Sequence, residues 1–144
     1  MFRILVVCVG NICRSPMAVA LLQRELAGRD VHIESAGLAA MVGHPIDPQA
    51  AAELRTHGLS LDAHIASQIS ADRIQRADLI LAMERRHIAA LLAMQPKARK
   101  KISLMGKWHG DVEVADPYGR KPEAFAAAYD ALETAASSWK ARIK

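Results

Sequence analysis

Cys8 and Arg14 are separated by the five residues Val9, Gly10, Asn11, Ile12 and Cys13, and Arg14 is followed at once by Ser15 and Pro16. Each of these types has a task in the chemistry of a tetrahedral oxyanion. A thiolate is a strong nucleophile, and a guanidinium presents a planar fork that holds two oxygens at once. Gly10 and Asn11 tolerate the positive φ angles that a tight loop needs. Backbone N–H groups turned inward, with a helix N-terminus behind them, add a fixed positive field that favours thiolate over thiol at Cys8. The stretch 8–16 therefore reads as an anion cradle with sulfur on its floor, and a thiolate beneath a phosphate is a phosphoryl acceptor. A lone buried cysteine is usually a small apolar residue, but that account leaves the spacing to Arg14 and the helix start behind it unexplained. Cys13 reads as a small loop residue, or as a thiol able to rescue oxidised Cys8 as a disulfide.

The flanking elements have to place that cradle. Residues 2–7 form an almost continuous apolar run, as expected of a strand covered on both faces of a parallel sheet. Ser15 is expected to cap the following helix, with Pro16 at its first position and Gly28 beyond its end. Further strands are predicted at 31–35, 78–83 and 101–105. Helices are predicted from Asp47 and Pro48 to Gly58, from a cap at Ser70, over 84–94, and along the stripe Phe125, Tyr129, Leu132, Ala136, Trp139 and Ile143. Strands alternating with helices imply right-handed crossovers. The expected fold is α/β: a single three-layer domain over residues 1–144, with a four-stranded parallel sheet, helices on both faces and the phosphate-binding loop after the first strand. Ligands of such sheets sit beyond the carboxyl ends of the strands. The loop after the fourth strand, with Asp116-Pro117-Tyr118-Gly119, should reach the same edge. Asp-Pro is also a common turn signal, so Asp116 is a candidate there on position.

Composition narrows the field. A chain of 144 residues that is 51% hydrophobic can build one continuous core. Two cysteines are too few for a disulfide framework or a structural zinc site. Neither a long apolar span nor a secretory leader is visible, so a cytoplasmic protein without stable membrane insertion is expected. The formal charge is +4, and the cluster Lys97, Arg99, Lys100 and Lys101 lacks interleaved aromatics, which argues for a solvated face and against nucleic-acid binding. His32, His44, His57, His87 and His109 read as ordinary polar residues.

The motifs "CVGNICRS" and "DPYG", with "ESAGL", "AHIASQIS", "DLILAME" and "FAAAYDALE" between and after them, resemble the low-molecular-weight protein tyrosine phosphatases over nearly the whole chain. The likeness is strongest to bacterial members that accompany tyrosine autokinases in capsule and exopolysaccharide export. It implies Cys8 as nucleophile, Arg14 as phosphate clamp and Asp116 as general acid, within a loop of Val9, Gly10, Asn11, Ile12, Cys13 and Ser15. It further implies that Asn11 holds the loop in shape, that Ser15 steadies the thiolate, and that Ser35 and His64 support Asn11. Leu38 and Tyr118 are expected at the substrate pocket. No metal or other cofactor is implied, and the expected partner is a phosphotyrosine protein, a tyrosine autokinase, met by a monomer. Two rivals share the cradle: an arsenate reductase of the same fold, whose cysteine relay has no counterpart after Cys13, and a non-catalytic phosphate-binding module.

Overall fold

Ile4, Leu5, Val6 and Val7 are all fully buried, because the strand they form has a helical layer against each face. In the computed structural model, which describes residues 1–143, this strand is β1 (Phe2–Cys8). It is followed by α1 (Arg14–Glu25), β2 (Val31–Gly37), α2 (Pro48–Thr56), α3 (Ala71–Arg76), β3 (Leu79–Ala82), α4 (Arg85–Met94), β4 (Ile102–Leu104) and α5 (Pro122–Lys140). The sheet runs β2-β1-β3-β4, all parallel. This is the single α/β domain expected from the alternation of elements.

Side chains alternate across β1, so its residues divide between two cores. Ile4, Val6 and Cys8 face α1, α2 and α5, whose Met17, Leu21, Leu54, Phe125, Tyr129 and Leu132 fill the larger core. Leu5 and Val7 face the other way, onto Ile74 of α3, Leu91 of α4 and Ala98. The stripe predicted for the last helix is buried throughout, although α5 ends at Lys140 and Ile143 lies beyond it. Asp47 and Ser70 cap α2 and α3 through their side chains, as their positions suggested.

One local expectation needs correction. Helix α1 begins at Arg14, with Cys13 as its N-cap, not at Pro16 behind a Ser15 cap. The Ser15 hydroxyl is taken up inside the cradle, and Pro16 still falls in the first turn, where a missing N–H costs no bond. The basic cluster lies on a 3₁₀ turn, Pro96–Lys101. There Lys101 Nζ donates to the carbonyls of Gln75 and Ala77, so one of its four cations ties down the end of α3.

The chain passes from β1 to β2 on one side and then crosses to β3 on the other. The carboxyl end of β1 is therefore where the strand order reverses, which is where open parallel sheets leave a crevice. Residues 8–15 occupy that position.

Candidate active site

Asn11 organises the loop. Its φ of 63° is left-handed, which asparagine accepts more readily than most residues. Its side chain is fully engaged: Nδ2 donates to Ser15 Oγ at 2.8 Å and Ser35 Oγ at 2.9 Å, and Oδ1 accepts from Ser67 N at 2.9 Å. Its carbonyl accepts from His64 Nε2 at 2.6 Å, so that nitrogen carries the proton. Burial lowers the pKa of His64 from its ordinary value, which favours this neutral ring. The residues predicted to support Asn11, Ser35 and His64, are thus in contact with it, and Ser67 is an addition that its sequence context did not signal.

Cys8 Sγ receives the N–H of Asn11 at 3.3 Å and lies 3.0 Å from Ser15 Oγ. Because Ser15 Oγ already accepts from Asn11, its own hydrogen is free to point at the sulfur. Both are contacts that a sulfur accepts when it is a thiolate. Cys13 differs: burial, with the Asp47 carboxylate next in weight, pushes its thiol well up, so it remains protonated. Continuation of β2 braces the loop from outside, since the N–H groups of Leu38, Ala39 and Met41 donate to the carbonyls of Cys8, Val9 and Gly10. Gly37 permits this approach, because a Cβ there would stand 2.5 Å from the Val9 carbonyl.

Arg14 is 1% exposed, and its charge is matched within the fold. NH1 donates to Glu84 Oε2 at 2.5 Å and to the Val114 carbonyl at 2.8 Å. The side-chain bonds from Arg86 and Arg14 outweigh burial and hold the Glu84 carboxyl down at about 2. Glu84 was read from sequence only as the start of a helix. A charge directly behind the buried strand β3 was the available signal, since that position lies on the ligand edge of the sheet.

Asp116 approaches from the other side. Its Oδ2 stands 3.8 Å from Arg14 NH2, while Oδ1 accepts the N–H of Tyr118 at 3.0 Å. Two anchors hold the loop that carries it. Gly106 pairs with Val112 where no Cβ would fit, and Val114 N donates to the Met83 carbonyl. A pocket of about 200 Å³ lies between the two segments, lined by residues 8–14 together with Ala39, Met41, Asp116 and Tyr118. Leu38 does not line it. That side chain packs against the core formed by α3 and α4, and the pocket wall comes from Ala39 and Met41 further along the same segment.

The family profile described as low molecular weight phosphotyrosine protein phosphatase matches residues 3–144. Wzb of Escherichia coli (strain K12), a low molecular weight protein-tyrosine-phosphatase, is 50% identical over 137 residues, covering 95% of this chain and 92% of that protein. The probable phosphatase AmsI of Erwinia amylovora is 47% identical over 136 residues, 94% of this chain and 93% of its own. Among solved structures, Vibrio vulnificus Wzb in complex with benzylphosphonate superposes with a TM-score of 0.94 at 37% identity, covering 99% of each chain. The chain belongs to the low-molecular-weight protein-tyrosine-phosphatase family. Within it, this is a bacterial enzyme of the Wzb and AmsI type.

Proposed function

We propose that the protein hydrolyses phosphotyrosine through a phosphocysteine intermediate formed on Cys8. The observation that carries this reading is one pocket shared by Cys8, Arg14 and Asp116, with the sulfur hydrogen-bonded as an anion would be. In the first step Cys8 Sγ attacks phosphorus, the S–P bond forms and the P–O bond to the ring breaks. A phenolate is a poor leaving group, with a parent pKa of about 10, so Asp116 supplies the departing oxygen with a proton. In the second step a water attacks phosphorus, gives its proton to Asp116, and releases phosphate with the Cys8 thiolate. Arg14 and the amides of residues 9–14 hold the equatorial oxygens throughout. Asn11, with Ser35 and His64 behind it, keeps those amides converged, and Ser15 steadies the thiolate as it leaves.

Benzylphosphonate in Vibrio vulnificus Wzb joins an aromatic ring to a phosphonate, as phosphotyrosine joins one to a phosphate, and so supports an aryl phosphate as the substrate. Met41 and Tyr118 are the side chains that would flank such a ring. The substrate protein we favour is a tyrosine autokinase or its targets in exopolysaccharide production, met in the cytoplasm by a monomer in which residues 1–144 act as one phosphatase domain. Arsenate reduction is disfavoured because no cysteine follows Cys13 to carry the oxidation away.

The direct test is acid-quenched reaction with a ³²P-labelled aryl phosphate. Label should appear on the wild-type protein and be absent from Cys8→Ser. Turnover without labelled protein would remove the covalent step, and a protein that bound phosphotyrosine peptide without releasing phosphate would be a docking module. A pull-down with Cys8→Ser, reading which phosphoproteins stay bound, tests the autokinase assignment separately.

A further inference from the structure

Behind Arg14 and Glu84 lies a buried histidine that this reaction scheme does not use. His87 is 1% exposed. Its Nδ1 accepts the backbone N–H of Glu84 at 3.1 Å, so Nδ1 carries no proton and the neutral ring holds its hydrogen on Nε2. Nε2 is buried without a hydrogen-bond partner among the described residues. Glu84 Oε2 lies 3.5 Å from it, and that same oxygen takes NH1 of Arg14 at 2.5 Å and NH2 of Arg86 at 3.2 Å. The bond through Nδ1 has an ordinary explanation, since it holds the start of α4. An asparagine would serve as well there. It does not account for a ring whose second polar atom is buried, unpaired, beside the carboxylate that grips the phosphate clamp, because burying an unpaired donor is costly.

We propose that His87 is a positioning residue for phosphoryl transfer, with Nδ1 fixing the Glu84 backbone and Nε2–H serving as a reserve donor to Glu84 Oε2. As arranged, Arg14 NH1 divides its hydrogens between Glu84 and the Val114 carbonyl. A phosphate in the cradle draws the guanidinium toward its own oxygens, and the Arg14–Glu84 bond lengthens. Oε2 then closes on His87 Nε2–H, which keeps the carboxylate satisfied while Arg14 turns to the phosphoryl oxygens and charge builds on them. The residue touches neither substrate nor sulfur and acts through Glu84.

The inference rests on Arg14 as the phosphate clamp, and its test separates the two ideas. Inorganic phosphate serves as a competitive inhibitor of aryl phosphate hydrolysis, and thermal unfolding is followed in parallel. His87→Asn keeps an acceptor at the position of Nδ1 and removes Nε2. It should melt close to wild type yet raise both KM and the phosphate Ki about 10-fold, the size of one hydrogen bond to a charged group. In a Glu84→Gln background the same change should add nothing further, because its effect passes through the carboxylate. Wild-type KM and Ki in His87→Asn, or an undiminished effect beside Glu84→Gln, would overturn the proposal. A measurement on the wild type needs no variant: the Nε2–H resonance of His87 should move downfield on phosphate titration, and a resonance that stays put would overturn it equally. A wild-type protein that neither bound phosphate nor hydrolysed an aryl phosphate would instead remove the clamp reading itself.

Discussion

The cradle and the loop that carries Asp116 meet across one pocket and are built by opposite means. In the cradle Asn11, Arg14 and Ser15 are almost wholly buried, and every polar atom of the Asn11 side chain is bonded within the fold. In the opposing loop the Asp116 side chain is 44% exposed and Tyr118 is 53% exposed. Behind its functional residues the loop is pinned at Gly106 and Val114. The contrast follows from what each half has to do. A nucleophile and a clamp gain from donors fixed before the substrate arrives, whereas an acid must exchange protons with water and meet leaving groups of different shape. Variants in the two halves should therefore fail in different ways.

The largest effect is expected at the cradle floor. Cys8→Ser should leave no measurable turnover of an aryl phosphate while preserving phosphate binding, as judged by protection against thermal unfolding. Residual turnover above a few thousandths of wild type would shift the nucleophile elsewhere. Next comes Asp116→Asn, which should slow phenyl phosphate about 10²- to 10⁴-fold, the usual range for general acid catalysis, and slow an aryl phosphate with an activated leaving group far less. Its melting temperature should stay near wild type because the residue is exposed. Equal slowing of both substrates would strike out the acid role and, with it, the division of labour between the halves.

Asn11→Ala should sharpen the comparison from the structural side. It removes three side-chain bonds from a buried site and asks alanine to hold a φ of 63°. A loss of about 2–4 kcal/mol in stability is expected, together with a fall in kcat/KM of about 100-fold as the amides lose their convergence. A variant with lost activity but unchanged stability would mean that Asn11 does not hold the loop.

How much of this could be read in the sequence follows the same division. The cradle was legible because its chemistry is local: one strand, five intervening residues and one helix start bring Cys8, Asn11 and Arg14 into the same turn. The start of α1 was misread for a tertiary reason. Ser15 and Pro16 form a good local cap signal, but Asn11 and Cys8 claim the hydroxyl. Leu38 was misplaced because β2 continues along the cradle past Gly37, and the segment turns Leu38 to the core before Ala39 and Met41 reach the pocket. Glu84 was hidden by its likeness to a helix cap, and its partnership with Arg14, 70 residues away in sequence, comes only from the pairing of β1 with β3.

The smallest expected effect concerns acid, and it places the sensitivity of the site at the back of the cradle. Burial, followed by the charge of Arg14, lowers His87 from 6.5 to about 4 in the folded protein, with Glu84, Arg86 and Asp116 as the other charged groups around it. The unfolded chain takes up this proton near pH 6.5. Between 6.5 and 4 it therefore binds more protons than the folded state, and stability falls as the pH falls, by at most about 1.4 kcal/mol per pH unit for one group. His64, lowered by burial, acts in the same direction. Glu84 extends the decline, since its carboxyl titrates near 4.5 when unfolded and at about 2 when folded, so its contribution is lost over that lower window. Urea unfolding across pH 4–7 should show the slope, and His87→Asn should flatten it without changing stability much at pH 7. An unchanged slope in that variant would mean that the buried ring is not what makes the cradle sensitive to acid.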